Sequence, residues 1–267
     1  MNIAKITPLI ITYNEEANIS RTLDRLKWAK EIIILDSFSI DQTLLIAQSY
    51  YNVRVIQRSF DSFANQCNFG LKKVTTEWVL SLDADYVCSS ELIEAIKELP
   101  EESKVTGYSV PFIYQIFGRS LRSTLYPRRI VLFEKNTAKY SQDGHAHRLK
   151  IDGNIQTLSA SIYHDDRKPL SSWLEAQSRY ANQECNKLIV ADPSKISFTD
   201  RVRQKIWIAP LLTFFYCLFY KRLILDGWIG IYYTFQRTYA EILLSLALLE
   251  KKMSQSFKKK QNIKFRN

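Results

Sequence analysis

Four short β-rich runs punctuate the first 85 residues, and three of them stop at carboxylates. Ile6–Thr12 leads into Tyr13-Asn14-Glu15, the run 31–35 ends at Asp36, and 78–82 ends at Asp83-Ala84-Asp85. Val53–Gln57 is the remaining run. Between and after them, residues 17–26, 41–50, Phe63–Lys73 and 89–99 carry helical spacing, the last with Ser89 or Ser90 placed to cap it. Continuous apolar strands separated by helices are buried on both faces, which is the pattern of a parallel α/β sheet. Such sheets bind ligands beyond the carboxyl ends of their strands. The three acidic ends are therefore the expected site. No glycine-rich dinucleotide or P-loop pattern is present, which disfavours those nucleotide enzymes.

After 107 the pattern changes. Residues 108–114, Arg129–Glu134 and 158–163 alternate in polarity and predict further strands of a mixed sheet. The polar stretch 141–147 holds His145 and His147, and His164 closes the last of these strands. Leu170–Val190 predicts a helix. An uncharged run follows at 206–220 (IWIAPLLTFFYCLFY), then a second aromatic stretch at 228–235. Fifteen residues fall short of the roughly 20 that span a bilayer. The expected division is 1–168, with halves 1–100 and 101–168, followed by a helical region over 169–267.

Charge separates the same two parts. Residues 1–200 hold 24 Lys+Arg and 24 Asp+Glu, while 201–267 hold 13 and 3, so the whole net charge of +10 sits in the last quarter. A nucleic-acid binder would more often spread its charge along a working face, so no nucleic-acid partner is expected. Clustered cations beside aromatic residues instead predict a segment at an anionic membrane interface. The four cysteines show neither metal-ligand nor disulfide-framework spacing and read as reduced thiols. The N-terminus reads as a first strand and not as a signal peptide, predicting a protein that stays in the compartment where it is made.

Asp83 and Asp85 lie two residues apart just past a buried strand. Carboxylates so placed can share a hard divalent cation, Mg²⁺ or Mn²⁺, with the oxygens of a diphosphate. In that setting PLIITYNEEANI, IIILDSFSIDQT and EWVLSLDADY resemble, in order, the motifs of the inverting family 2 glycosyltransferases. Further along, RSFDSFANQCNFGL, LYPRRIVLF, DGHAHRLKIDG and IYHDDRKPLSSWLEAQSRYANQE are similar to the lipopolysaccharide core β-1,4-glucosyltransferases, over most of residues 6–240. At the second strand many relatives carry D-D-G-S-x-D, where this chain has Asp36-Ser37-Phe38-Ser39-Ile40-Asp41.

The resemblance implies an α/β fold of the GT-A type, a mostly parallel, Rossmann-like mixed sheet flanked by helices, with a C-terminal helical membrane-associating segment. It also implies transfer of glucose from UDP-glucose to a heptose of the inner core of a lipid A–core oligosaccharide. The enzyme would be peripheral on the cytoplasmic face of the bacterial inner membrane. In the nucleotide-sugar site, Thr12, Tyr13, Asn14 and Glu15 would edge the nucleoside and Asp36 would meet the base. Asp83 and Ala84 would lie at the ribose or the metal-bound phosphates, and Gln66 and Asn68 would supply polar contacts. Asp85 and His164 would hold the metal. Deprotonation of the acceptor hydroxyl needs a base. Asp143 is the first candidate, His145 the second and His147 the third. Arg128, Arg129, Arg167 and Lys168 read either as phosphate contacts or as solvated turn residues. Two other readings stand beside this one. A noncatalytic scaffold on the same fold would have lost the metal positions, and a nucleotidyltransferase would show a glycine-rich first loop.

Overall fold

The computed structural model describes residues 1–143, 146–192 and 196–264; the side chains of 143, 146, 147, 256 and 258–264 are outside that description. It divides into two compact units, 1–142 with 146–168, and 143–145 with 169–267.

The first unit opens with β1 (Ile6–Thr12), α1 (Ile19–Asp24), β2 (Ile32–Asp36), α2 (Thr43–Gln48), β3 (Val53–Gln57), α3 (Phe63–Lys73) and β4 (Trp78–Asp83). It continues through β5 (Tyr86–Cys88), α4 (Ser90–Glu98), β6 (Val105–Val110), β7 (Phe112–Ile116) and β8 (Arg119–Ser120). It closes with β9 (Arg129–Glu134), β10 (Ala138–Asp143), β11 (Ala146–Ile151), β12 (Asn154–Thr157) and β13 (Ile162–His164).

Seven strands form one sheet in the order β12-β6-β9-β4-β1-β2-β3. Within it β9 alone runs against its neighbours. The period-two alternation of strand side chains explains why the apolar runs are nearly pure. Ile6 and Ile10 of β1, Ile32 and Ile34 of β2, and Trp78, Leu80 and Leu82 of β4 enter one core. Leu9, Ile33 and Val79 enter the other, which is closed by Ala64, Cys67 and Leu71 of α3. Gly70 lets α3 lie close on β1: a Cβ on it would stand 2.8 Å from Leu9 Cδ1 and would push that side chain aside.

A second sheet has the order β5-β13-β7-β8. The expected strand at 108–114 is in fact two. Proline has no N–H to give a ladder, and at Pro111 the chain leaves β6 in the large sheet and enters β7 in the small one. The expected strand at 158–163 is likewise shifted, to β13, with β12 lying before it.

The second unit holds α5 (Leu170–Val190), α6 (Phe198–Gln204), α7 (Ile208–Phe215) and α8 (Trp228–Lys264). Its core comprises Ala181, Cys185, Leu188, Ile206, Leu244 and Leu248. The run 206–220 is not one helix: α7 gives way to a π-turn at Tyr216–Tyr220 and then a 3₁₀ turn at Leu223–Asp226. Among the described residues no helix is long and apolar enough to cross a membrane.

Candidate active site

Parallel pairing of β1 with β2 and β4 sets Thr12 opposite Asp36 and Ile11 opposite Asp83, so the acidic ends stand side by side. Asp36 is fully buried and accepts hydrogen bonds from Thr12 Oγ1 (3.0 Å), Ser39 N (2.9 Å), Ser39 Oγ (2.5 Å) and Gln57 Nε2 (3.3 Å). The turn after β2 is thereby folded onto the carboxylate that begins it. Asn14 takes a left-handed conformation (φ 53°), which asparagine tolerates better than most residues. Its N–H donates to Ser39 Oγ at 2.9 Å, and its side-chain oxygen accepts from Ile40 N at 2.9 Å. The loops after β1 and β2 thus form one laced rim, with Tyr13 standing exposed on it.

Asp85 is placed by a longer-range device. Antiparallel pairing of β5 with β13 sets His164 opposite Tyr86 and brings its Nε2 within 3.0 Å of Asp85 Oδ2. Both side chains are only 13% exposed. Burial alone would raise the Asp85 carboxyl, but His164 and then Lys168 outweigh it and hold it at about 2. Burial alone would lower the His164 imidazole, and Asp85 raises it instead. His164 Nδ1 is buried without a hydrogen-bond partner. The ring is packed by Tyr86, Tyr114 and Tyr126, at centroid distances of 5.2, 4.7 and 4.7 Å. Ala84 is buried, and its carbonyl accepts from Thr22 Oγ1 at 2.7 Å.

The carboxylate suits a hard divalent ion such as Mn²⁺ or Mg²⁺, and the imidazole beside it could add one nitrogen ligand. Among the described residues no third His, Cys, Asp or Glu completes a group with them. A divalent ion would therefore draw its remaining oxygens from a diphosphate and water, as hard cations in phosphate sites do.

The loop after β13 is stapled to the start of α1. Asp165, fully buried, accepts from Arg21 Nη1 (3.0 Å) and Arg167 Nε (2.8 Å). Asn18 Nδ2 donates to Asp166 Oδ1 (3.0 Å) and to Glu15 Oε2 (2.8 Å). Lys168 Nζ lies 2.5 Å from Glu15 Oε1. Burial raises the Glu15 carboxyl to about 7 although this ammonium pulls it the other way. Arg167 and Lys168 are thus ion-paired at the site's edge and are not free turn residues.

Gln66 is fully buried, donates to Ser37 Oγ (3.0 Å) and the Arg58 carbonyl (3.3 Å), and accepts from Arg58 Nη1. Asn68 uses both ends of its amide on the main chain of Tyr140, each at 2.9 Å. The described partners of these two residues are protein groups. The side chains of Asp143 and His147 and all of His145 lie outside the described residues.

Two features are not visible in sequence spacing. One is the tyrosine packing of His164, assembled from β5, β7 and the segment before β9. The other is the placement of Arg129, which the sequence left as either a phosphate contact or a turn residue. As the reversed strand, β9 begins where β4 ends, which brings Arg129 to the acidic cluster. Its guanidinium lies 4.7 Å from the centroid of the Tyr126 ring. Burial works against its charge, but Tyr86, Tyr126, Asp83 and Asp85 outweigh burial and raise its pKa.

A rim of loops at the carboxyl ends of parallel strands, beside a paired carboxylate and imidazole, places these residues where open α/β sheets bind their ligands. The family model of glycosyl transferase family 2 matches residues 8–164, and the chain belongs to that family. It is 26% identical over 245 residues to an uncharacterized glycosyltransferase of Rickettsia bellii, covering 85% of this chain and 80% of the relative. It is 23% identical over 194 residues to the lipopolysaccharide core biosynthesis glycosyltransferase LpsC of Rhizobium meliloti, covering 69% of this chain and 72% of LpsC. The fold is similar to Staphylococcus aureus TarS 1–349 in complex with UDP, with a TM-score of 0.50, 15% identity and coverage of 93% and 91%. It is also similar to the mannosyltransferase PcManGT of Pyrobaculum calidifontis in complex with GDP-Man and Mn²⁺, with a TM-score of 0.51, 15% identity and coverage of 93% and 87%. The mixed, mostly parallel sheet flanked by helices is that of the GT-A glycosyltransferases.

Proposed function

We propose that the protein is an inverting, metal-dependent glucosyltransferase that uses UDP-glucose and acts on a heptose of a lipid A–core acceptor at the inner face of the inner membrane. The observation that carries the transfer chemistry is the Asp85–His164 pair beside the acidic strand ends. The likeness to LpsC supports the acceptor class. Residues 1–168 are assigned to catalysis and 169–267 to membrane association.

In this reading Tyr13, Asn14, Glu15 and the Asp36 turn edge the nucleoside, with Thr12 anchoring that turn. Asp83 and Ala84 border the ribose and diphosphate. Gln66 and Asn68 act on the donor through the loops and strands they hold. Asp85 and His164 would hold Mg²⁺ or Mn²⁺, and the chemistry such an ion would supply is charge stabilisation on a departing diphosphate. Arg129 adds a fixed cation on the same side, preorganised by Tyr126. Asp143, followed by His145 and His147, is the assigned base. A base facing the acceptor hydroxyl drives a single displacement at the anomeric carbon, and inversion follows from that geometry.

The test is product analysis with a panel of nucleotide-sugars, with and without heptose-containing core acceptor. UDP release from UDP-glucose that needs the acceptor supports the reading. Turnover of a different nucleotide-sugar replaces the donor, and pyrophosphate release replaces the reaction class.

A further inference from the structure

The run 206–220 is built in an unusual way. Ile206 and Arg222, neither of them glycine, bracket it in left-handed conformations (φ 60° and 56°). A β-branched residue there is strained and persists only when its surroundings hold it. Ile206 is held: its side chain is buried in the second unit's core, and its carbonyl accepts from the buried Ser245 hydroxyl at 2.6 Å. The chain between is apolar on both sides. Ala209, Pro210 and Cys217 are buried, with Leu223 just beyond. Facing outward are Trp207, Leu211, Phe215, Phe219, Leu225 and Trp228, each more than half exposed. Phe215 and Phe219 stack at 6.1 Å and Tyr216 and Tyr220 at 4.8 Å, so exposed rings of this segment stand side by side as a ridge. A contiguous apolar surface of this kind marks an interaction site.

Charge identifies what covers it. Lys205 and Arg222 are exposed around the ridge, and Lys221 Nζ lies 5.7 Å from the centroid of the Tyr216 ring. Asp226 is the sole acid between 201 and 227. A second copy docking through the same face would set cations against cations, because a two-fold interface pairs a patch with itself. An anionic leaflet satisfies both the ridge and its rim. The eight residues of α7 rise only about 12 Å, far short of the roughly 30 Å hydrocarbon core.

From these observations we infer that residues 207–228 form a monotopic wedge, whose aromatic ridge enters the acyl boundary of an anionic bilayer while Lys205, Lys221 and Arg222 meet the headgroups. The inference deepens the membrane assignment proposed above by naming the element that inserts, and it does not depend on which sugar is transferred.

The test is flotation of the full chain with vesicles of phosphatidylcholine alone or mixed with phosphatidylglycerol, alongside quenching of tryptophan fluorescence by brominated lipid. The intact protein is expected to float with the mixed vesicles and to be quenched, with quenching reduced in Trp207→Phe/Trp228→Phe. Phe215→Ser/Phe219→Ser should cut the vesicle-bound fraction at least about tenfold, since two exposed rings lose their burial in lipid. Lys221→Glu/Arg222→Glu should weaken the preference for phosphatidylglycerol, and an unchanged preference would remove these cations from the contact. UDP affinity, measured on the same samples, should be unchanged in the phenylalanine variant, showing that it is folded. Flotation without UDP binding would leave the wedge standing and remove the donor reading. An intact protein that ignores both vesicles, or a phenylalanine variant that floats as well as the parent, would overturn the wedge. So would a solution dimer that this variant converts to monomer while the parent stays off vesicles, since the ridge would then belong to a second copy.

Discussion

Asp85 and His164 act on one another before they act on any ligand, and the sign of each effect is testable. Asp85 titrates lower when folded than its ordinary 3.8, so its pairing adds stability above that value, and the gain fades as pH falls toward 2. His164 titrates higher than its ordinary 6.5, so its share is full below 6.5 and fades as pH rises through its raised value. The pair therefore contributes most between those limits. In metal-free buffer, Asp85→Asn is expected to lose on the order of 2 kcal/mol in that window, with the deficit shrinking on either side. Thermal unfolding against pH reads this, and a deficit independent of pH would contradict it. Asn68 makes a different prediction. Asn68→Ala removes two hydrogen bonds to the Tyr140 main chain, at a cost of about 1–3 kcal/mol. Urea unfolding should show that loss while UDP affinity changes little; the opposite pattern would make Asn68 a direct ligand contact.

At the scale of elements, what the sequence makes legible follows from how far apart the interacting residues lie. The strands β1, β2 and β4 and their acidic ends are legible because burial on both faces demands the pure apolar runs that spell them. The split at Pro111 is legible only once the second sheet is known, since alternation runs straight through it. Arg129 and the tyrosines around His164 leave no periodic trace, because the reversed strand β9 and the β5–β13 pairing bring them in from distant segments. The broken course of 206–220 is hidden for another reason. Composition reports an apolar stretch, while the left-handed turn at Ile206 is held by Ser245 of α8, and the 3₁₀ turn that follows Arg222 packs on the same helix. Gly230 shows how closely those parts meet, since a Cβ there would lie 1.9 Å from the Leu223 carbonyl oxygen. Backbone cannot yield as a side chain can, so Gly230→Ala is expected to lower stability by about 3 kcal/mol in denaturant unfolding. A neutral result would mean that the 3₁₀ turn is not packed on α8.

For the molecule as a whole, charge is divided along the chain much as the fold is. The sheet-bearing unit holds the acidic strand ends, and the cationic excess lies wholly after residue 200. In the function proposed above, the first part would align donor and acceptor and the second would keep the enzyme at the membrane. The central claim is that Asp85 and His164 join a divalent cation to a nucleoside diphosphate. The most direct measurement is titration of UDP into the protein with Mn²⁺ and again after chelation, comparing the parent with Asp85→Ala and His164→Ala. Binding that requires Mn²⁺ and weakens at least about tenfold in both variants is the predicted result. UDP binding of equal strength without metal and in both variants would contradict the account.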